Sequence, residues 1–165
     1  MLATLFGAAI FISKISLLSP IDKIFVVVQA LLLSLSYLLL GAPGATYISL
    51  IGCLLTAFWG AHLAPFTIAF ALLYGLSIDA LSSVLKARGA EGNVRQKNLI
   101  AAVTISTTIV GLASYFSAVV FELLPRNSLM EMGILISGVI SGSIGGYFSI
   151  VIWKKILERS NTRMC

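Results

Sequence analysis

Between Met132 and Trp153 the chain runs without a charged residue and carries two ladders of small side chains at four-residue spacing. One is Gly133, Ser137, Ser141, Gly145 and Ser149; beside it stand Gly138, Gly142 and Gly146. Residues four apart lie one above another on a helix, so each ladder is a groove that admits a neighbouring backbone. Lipid tails are as apolar as the side chains and give helices no hydrophobic drive to associate, so close packing of this kind takes its place. The segment is predicted to be a helix built to be packed against.

The rest of the chain agrees with a lipid setting. Of 165 residues, 59% are apolar and 10% are charged, with a mean hydropathy of +1.05. Soluble domains sit near 45–50% apolar and about 25% charged. One crossing takes about 20 residues, so the chain is read as a single integral membrane domain over 1–165: an all-α, six-helix transmembrane bundle in the cell membrane. The helices are predicted at about 2–18, 22–40, 45–59, 64–86, 97–121 and 129–157. Ser19-Pro20, Gly41-Ala42-Pro43-Gly44 and Gly60 to Pro65 supply the breaks, since proline disfavours helical geometry in the residue before it. Gly89 and Gly92 are expected to end the fourth helix, and Ser128 with Glu131 reads as a capping box opening the sixth. The third helix is short for a straight crossing. Met1 to Ser19 lacks a basic leader and an A-x-A cleavage pattern, so it is read as a span.

Charge sets the expected orientation. The net charge of +5 is concentrated in two groups, Lys86, Arg88, Arg95, Lys97 and Lys154, Lys155, Arg159, Arg163. The positive-inside rule places the 86–97 loop and both termini in the cytoplasm. A nucleic-acid surface would want aromatic interleaving on a soluble platform, which these groups lack.

Neither a metal nor a cofactor is expected. Cys53 and Cys165 form no C-x-x-C, and His62 is the single histidine, so no zinc or disulfide framework is recognisable. There is no H-E-x-x-H, G-x-S-x-G or Walker loop, and the chain is read as non-enzymatic.

Ionisable groups within apolar segments are costly enough to need a reason. Asp79 lies about 10 Å from the cytoplasmic end of its helix, within reach of water or a basic partner, so packing and coupling roles are both open. Lys14 either snorkels to the surface or faces an anion at the mouth of a pocket. Trp59 and His62 flank an external turn, where an aromatic belt would place a tryptophan in any case. The alternative is a stacking wall for a flat ligand, built from Trp59, Phe66, Tyr74 and Tyr115, with hydrogen bonds from Gln29, His62 and Glu122. Hydroxyls on the fifth helix, from Thr104 to Ser117, suit helix packing. Ala3 and Gly7 form a further small pair, facing a neighbour within the chain or in a partner protein.

The stretch from Gly41 to Arg88 has a Pro-Gly turn, a short helix rich in small residues, a Pro-Phe opening of the next, and then Gly75-x-x-x-Asp79 followed by Lys86 and Arg88. In this it resembles the substrate-binding S components of energy-coupling-factor vitamin transporters, of the thiamine or hydroxymethylpyrimidine type. The resemblance implies a vitamin or vitamin precursor held in the outer half of the bundle by aromatic stacking and a few polar groups. It also implies a transmembrane coupling protein and a pair of ATPases as partners. Ala3 and Gly7 look like the small-residue motif with which the first helix of such proteins meets the coupling subunit. Asp79, Gly138, Gly142 and Gly146 complete the expected coupling and packing set. The rival reading is a structural or assembly subunit docked through its sixth helix; a small oligomeric pore is disfavoured because no span has a continuous polar face.

Overall fold

The computed structural model describes residues 6–10, 22–59, 64–88, 94–122 and 125–162. All regular structure among them is helical. Residues 6–10 belong to α1; the others are α2 (Asp22–Leu40), α3 (Gly44–Trp59), α4 (Ala64–Val84), α5 (Gln96–Val120) and α6 (Ser128–Thr162). These bounds follow the apolar runs closely, because each run ends where glycine, proline or charge removes either helical geometry or burial.

The helix ends are built differently from expectation in two places. Lys86, with φ of 48°, ends α4 in the left-handed region. Ala87 N donates to Ser82 O and Lys86 N to Ser83 O, the paired closing bonds of a Schellman turn. The stop is therefore a lysine, three residues before Gly89. At the start of α6, Asn127 takes the capping role assigned to Ser128: Leu129 N donates to Asn127 Oδ1 at 3.0 Å. Asparagine is among the strongest N-caps. Glu131 does not reach back as in a capping box and faces Arg126 at 3.4 Å. Gly41, with φ of +76°, closes α2 in the same left-handed region, where glycine carries no Cβ penalty.

Neighbour contacts run α2 to α3, α3 to α4, α4 to α5, α5 to α6 and α6 back to α2, closing a ring, with α2 also touching α4 and α5. Every residue from Leu32 to Leu38 is buried, so α2 is enclosed on all sides over two turns. α1 lies on α3, where Gly7 approaches Ile51 and Gly52 approaches Ile10.

The two ladders of α6 serve two partners. A Cβ on Gly138, Gly142 or Gly146 would lie 3.1, 2.6 or 3.2 Å from the Cα of Thr108, Thr104 or Ile100, all on α5. A Cβ on Gly145 would instead lie 2.8 Å from Ala30 Cβ, on α2. Ladders one residue apart face about 100° apart on a helix, which is how one helix wedges between two. Gly133 has no neighbour within 4 Å.

The bundle is apolar on its surface as well as in its core, which holds Leu33, Leu38, Ile48, Ile78, Leu99 and Val103. Ile105, Ile109 and Phe116 on α5, and Ile136, Ile140, Ile144 and Phe148 on α6, are exposed, whereas Ser34, Ser36, Ser82, Ser106, Thr107, Ser141 and Ser149 are buried. The exposed charges gather at the ends. Lys86, Arg88, Arg95, Lys97, Lys154 and Lys155 mark one end; Glu122 and Arg126 mark the other. α5 and α6 are long and apolar enough to cross a membrane, while α2, α3 and α4 carry shorter apolar stretches.

Candidate functional site

Asp79 is the one buried charge among the described residues, and its surroundings account for it. The amides at the start of α3 have no partners within their own helix, and the turn before them offers no Ser, Thr, Asp or Asn cap. Asp79 supplies one from α4. Ala45 N donates to Oδ1 at 3.1 Å, Thr46 N to Oδ2 at 2.7 Å and Thr46 Oγ1 to Oδ2 at 2.6 Å. A carboxylate at a helix N-terminus also meets the positive end of the helix dipole. Gly75, one turn earlier on the same face, lets the helices touch: a Cβ there would lie 2.7 Å from Ser49 Cβ and 2.8 Å from Ala45 O. Ser49 Oγ also donates to Ala71 O. The Gly75-x-x-x-Asp79 spacing is thus a packing and capping device joining α4 to α3.

A second polar seam runs through the interior. Tyr74 Oη and Thr107 Oγ1 lie 2.8 Å apart, and Thr107 Oγ1 donates to Val103 O at 2.7 Å, so the tyrosine hydroxyl donates to Thr107 Oγ1 and is not a free head group. Thr104 Oγ1 and Ser143 Oγ, 3.2 Å apart, tie α5 to α6. Ser106 Oγ and Ser82 Oγ are buried without a hydrogen-bond partner.

At the end opposite the basic residues, Tyr115 clamps the turn into α6. Its hydroxyl accepts from Asn127 N at 2.9 Å and donates to Asn127 O at 3.3 Å. Glu122, with φ of 58°, follows α5 as its left-handed closing residue and is exposed. Gln29 is partly buried on α2, beside the Ala30 that meets Gly145.

The expected binding residues are therefore distributed. Thr107, which Tyr74 meets, stands eight residues below Tyr115 on α5, about 12 Å along the axis. Tyr74 is 5% exposed and Tyr115 4%, so neither presents a ring face to a solute. Trp59 closes α3 with its side chain outside the described set, as is that of Phe66; Ala3, Lys14 and His62 lie outside the described residues altogether. Gly7 makes its close contact within the chain, on Ile51 and Gly52. An open groove of about 330 Å³ runs along α6, lined by Met132, Leu135, Ile136, Val139 and Ile140. Its lining is wholly apolar, and none of the expected binding residues contributes to it. Among the described residues no three His, Cys, Asp or Glu side chains gather as a metal site would need.

The features that sequence reasoning missed are contacts: Thr46 as the partner of Asp79, Thr107 as that of Tyr74, and Asn127 as both cap and anchor for Tyr115. Only Asn127 carried a local signal, its place just before an apolar run. The chain matches no family model, no curated protein and no solved structure.

Proposed function

We propose that the chain is a multi-pass membrane protein with both termini in the cytoplasm, and that it captures a vitamin or vitamin precursor outside the cell for an uptake transporter completed by a coupling protein and an ATPase pair. The observation that carries the membrane part is the apolar outer surface, with branched and aromatic side chains of α5 and α6 facing outward around an apolar core and the exposed charges gathered at the two ends. In water such a surface is an aggregation hazard; in hydrocarbon it is what solvation favours. The uptake part draws on the resemblance of Gly41 to Arg88 and on the division of the molecule into two ends. Near the basic end, α3 and α4 are locked by Asp79 and Gly75; at the other, Trp59 and Glu122 close α3 and α5.

Within this reading Tyr74 and Tyr115, buried with their hydroxyls already bonded, are set aside as ligand contacts, and the proposed contacts are Trp59, His62, Gln29 and Glu122. The assembly-subunit reading is favoured by one feature, the unpartnered apolar groove on α6.

Calorimetric titration of the purified, folded chain with thiamine, its pyrimidine precursor, riboflavin, biotin and cobalamin precursors tests the proposal. Saturable binding of one heteroaromatic solute, abolished by Trp59→Ala or His62→Ala without loss of folding, is the expected result. A folded chain that ignores the whole panel, while co-purifying with a membrane partner that is not an ATPase, supports the assembly reading instead.

A further inference from the structure

The basic end carries more than a topology signal, because the fold gathers its cations on a pinned framework and leaves them without acidic partners among the described residues. Lys86 projects from the Schellman turn that ends α4. Arg88 pairs with Val94 in an isolated antiparallel bridge, and Arg95 N donates to Ala87 O at 2.9 Å. Asn98 Nδ2 holds Leu85 O at 2.6 Å, so the base of the α4–α5 connection is fastened to α5. Ala87 within it is fully buried. Arg88 reaches across to the α2–α3 turn, its Nη1 3.3 Å from where a Gly41 Cβ would stand. Lys97 sits in the first turn of α5. Since Gly146 faces Ile100, Lys154 and Lys155 lie two turns further toward the same end.

All six side chains are exposed. The single ion pair among the described residues, Arg126 with Glu131, is at the other end. Asp79 is buried and occupied by Ala45 and Thr46. By sequence this end holds eight basic residues, with Arg159 and Arg163, against Glu91 and Glu158; Glu91 lies outside the described residues, as does the side chain of Glu158. On the bundle side of the cations the surface turns apolar: Val84, two residues before Lys86, is 75% exposed, Leu40, beside the Gly41 that Arg88 approaches, 51%, and Val151, three residues before Lys154, 43%.

We propose that this end is a docking surface for anionic phospholipid, with headgroup phosphates on Lys86, Arg88, Arg95, Lys97, Lys154 and Lys155 and acyl chains along Val84, Leu40 and Val151. Clustered lysine and arginine at a membrane face attract acidic headgroups. The adjoining apolar belt is what favours a lipid over a free phosphate or an acidic protein, neither of which would use it. The inference rests on the membrane reading above and is independent of the uptake reading.

The test is native mass spectrometry of the detergent-purified chain titrated with phosphatidylglycerol or phosphatidylcholine. Phosphatidylglycerol is expected to be retained in clear preference. The pairs Lys86→Gln with Arg88→Gln, and Lys154→Gln with Lys155→Gln, are each expected to weaken its retention about tenfold or more, on the basis of about fivefold per charge near an acidic surface. Arg126→Gln, at the opposite end, is expected to leave it unchanged, and unaltered helical content and melting establish that each variant is folded. Equal retention of the two lipids, or wild-type retention by both pairs, overturns the proposal. So does displacement of the lipid by millimolar inorganic phosphate, which assigns a free phosphate site, or by soluble polyglutamate, which assigns an acidic protein. A chain that stays dispersed without detergent and retains neither lipid sinks the membrane reading itself.

Discussion

Asp79 on α4 and Thr46 on α3 share two hydrogen bonds, 2.7 Å from the Thr46 amide and 2.6 Å from its hydroxyl, both to Oδ2. The pair explains how a carboxylate persists in the interior of an apolar bundle. Burying it alone would cost several kcal/mol. With three donors and the dipole of α3 directed at it, the charge is satisfied where it stands.

Asp79→Ala leaves the first amides of α3 without an acceptor and is expected to cost about 2–4 kcal/mol, the sum of unsatisfied donors and a lost cap. Thr46→Val removes only the hydroxyl and should cost about 1 kcal/mol. Combined, the two changes should cost less than their sum, because both act on one contact. Thermal unfolding of the four proteins in one detergent checks this; full additivity would show that the two side chains do not interact.

The glycines of α6 should differ in tolerance according to what each faces. Gly142→Ala places a methyl 2.6 Å from Thr104 Cα, and backbone has nowhere to yield, so a loss of about 1–3 kcal/mol is expected. Gly142→Leu should disrupt the bundle. Gly133→Ala meets open space and should be neutral or stabilising by up to about 1 kcal/mol through helix propensity. Melting temperatures of these variants check the order, and the difference disappears if α6 does not pack on α5.

Lys86 and Glu122 hold left-handed conformations, with φ of 48° and 58°, that cost a side-chain-bearing residue about 1 kcal/mol. Lys86→Gly and Glu122→Gly should therefore each raise stability by up to about 1 kcal/mol, an unusual outcome for glycine. Lys86→Gly has a second readout, since it should at the same time weaken acidic-lipid retention. Chemical or thermal denaturation checks both substitutions, and destabilisation by either would contradict the turn geometry.

How much of this was legible in the sequence depends on the range of each interaction. The bounds of the described helices were readable where Gly41 to Gly44 and the charges at Lys86 and Arg95 act within a few residues, while the Ser19-Pro20 break lies outside the described residues. The ladders showed that α6 is packed against, and their one-residue offset carried the information that two partners are involved. What could not be read was pairing across the ring: Asp79 and Thr46 are neighbours only because α3 and α4 fold back on each other. The same limit applies to Tyr74 and Tyr115, which had the chemistry of pocket walls but whose hydroxyls are taken by Thr107 and Asn127. Lys86 ends α4 against propensity, since nothing local marks a lysine for a left-handed turn while Gly89 stands three residues on.

The proposed orientation places the two ends of the bundle on opposite sides of the membrane. In a background with Cys53→Ala and Cys165→Ser, single cysteines introduced by Asn127→Cys and Lys86→Cys report their sides through a membrane-impermeant thiol reagent. The first should label on intact cells and the second only after permeabilisation. Labelling of both from the same side would contradict the positive-inside assignment, and labelling of Lys86→Cys alone on intact cells would invert it.

The central claim is solute capture with an ATPase-driven partner, and native mass spectrometry of the complex extracted gently from its own membrane tests it most directly, since one spectrum reports both ligand and partners. The account predicts the chain carrying one small heteroaromatic molecule and bound to a membrane coupling protein with two ATPase subunits. The folded chain in a stable complex that lacks both an ATPase and any small molecule would contradict it.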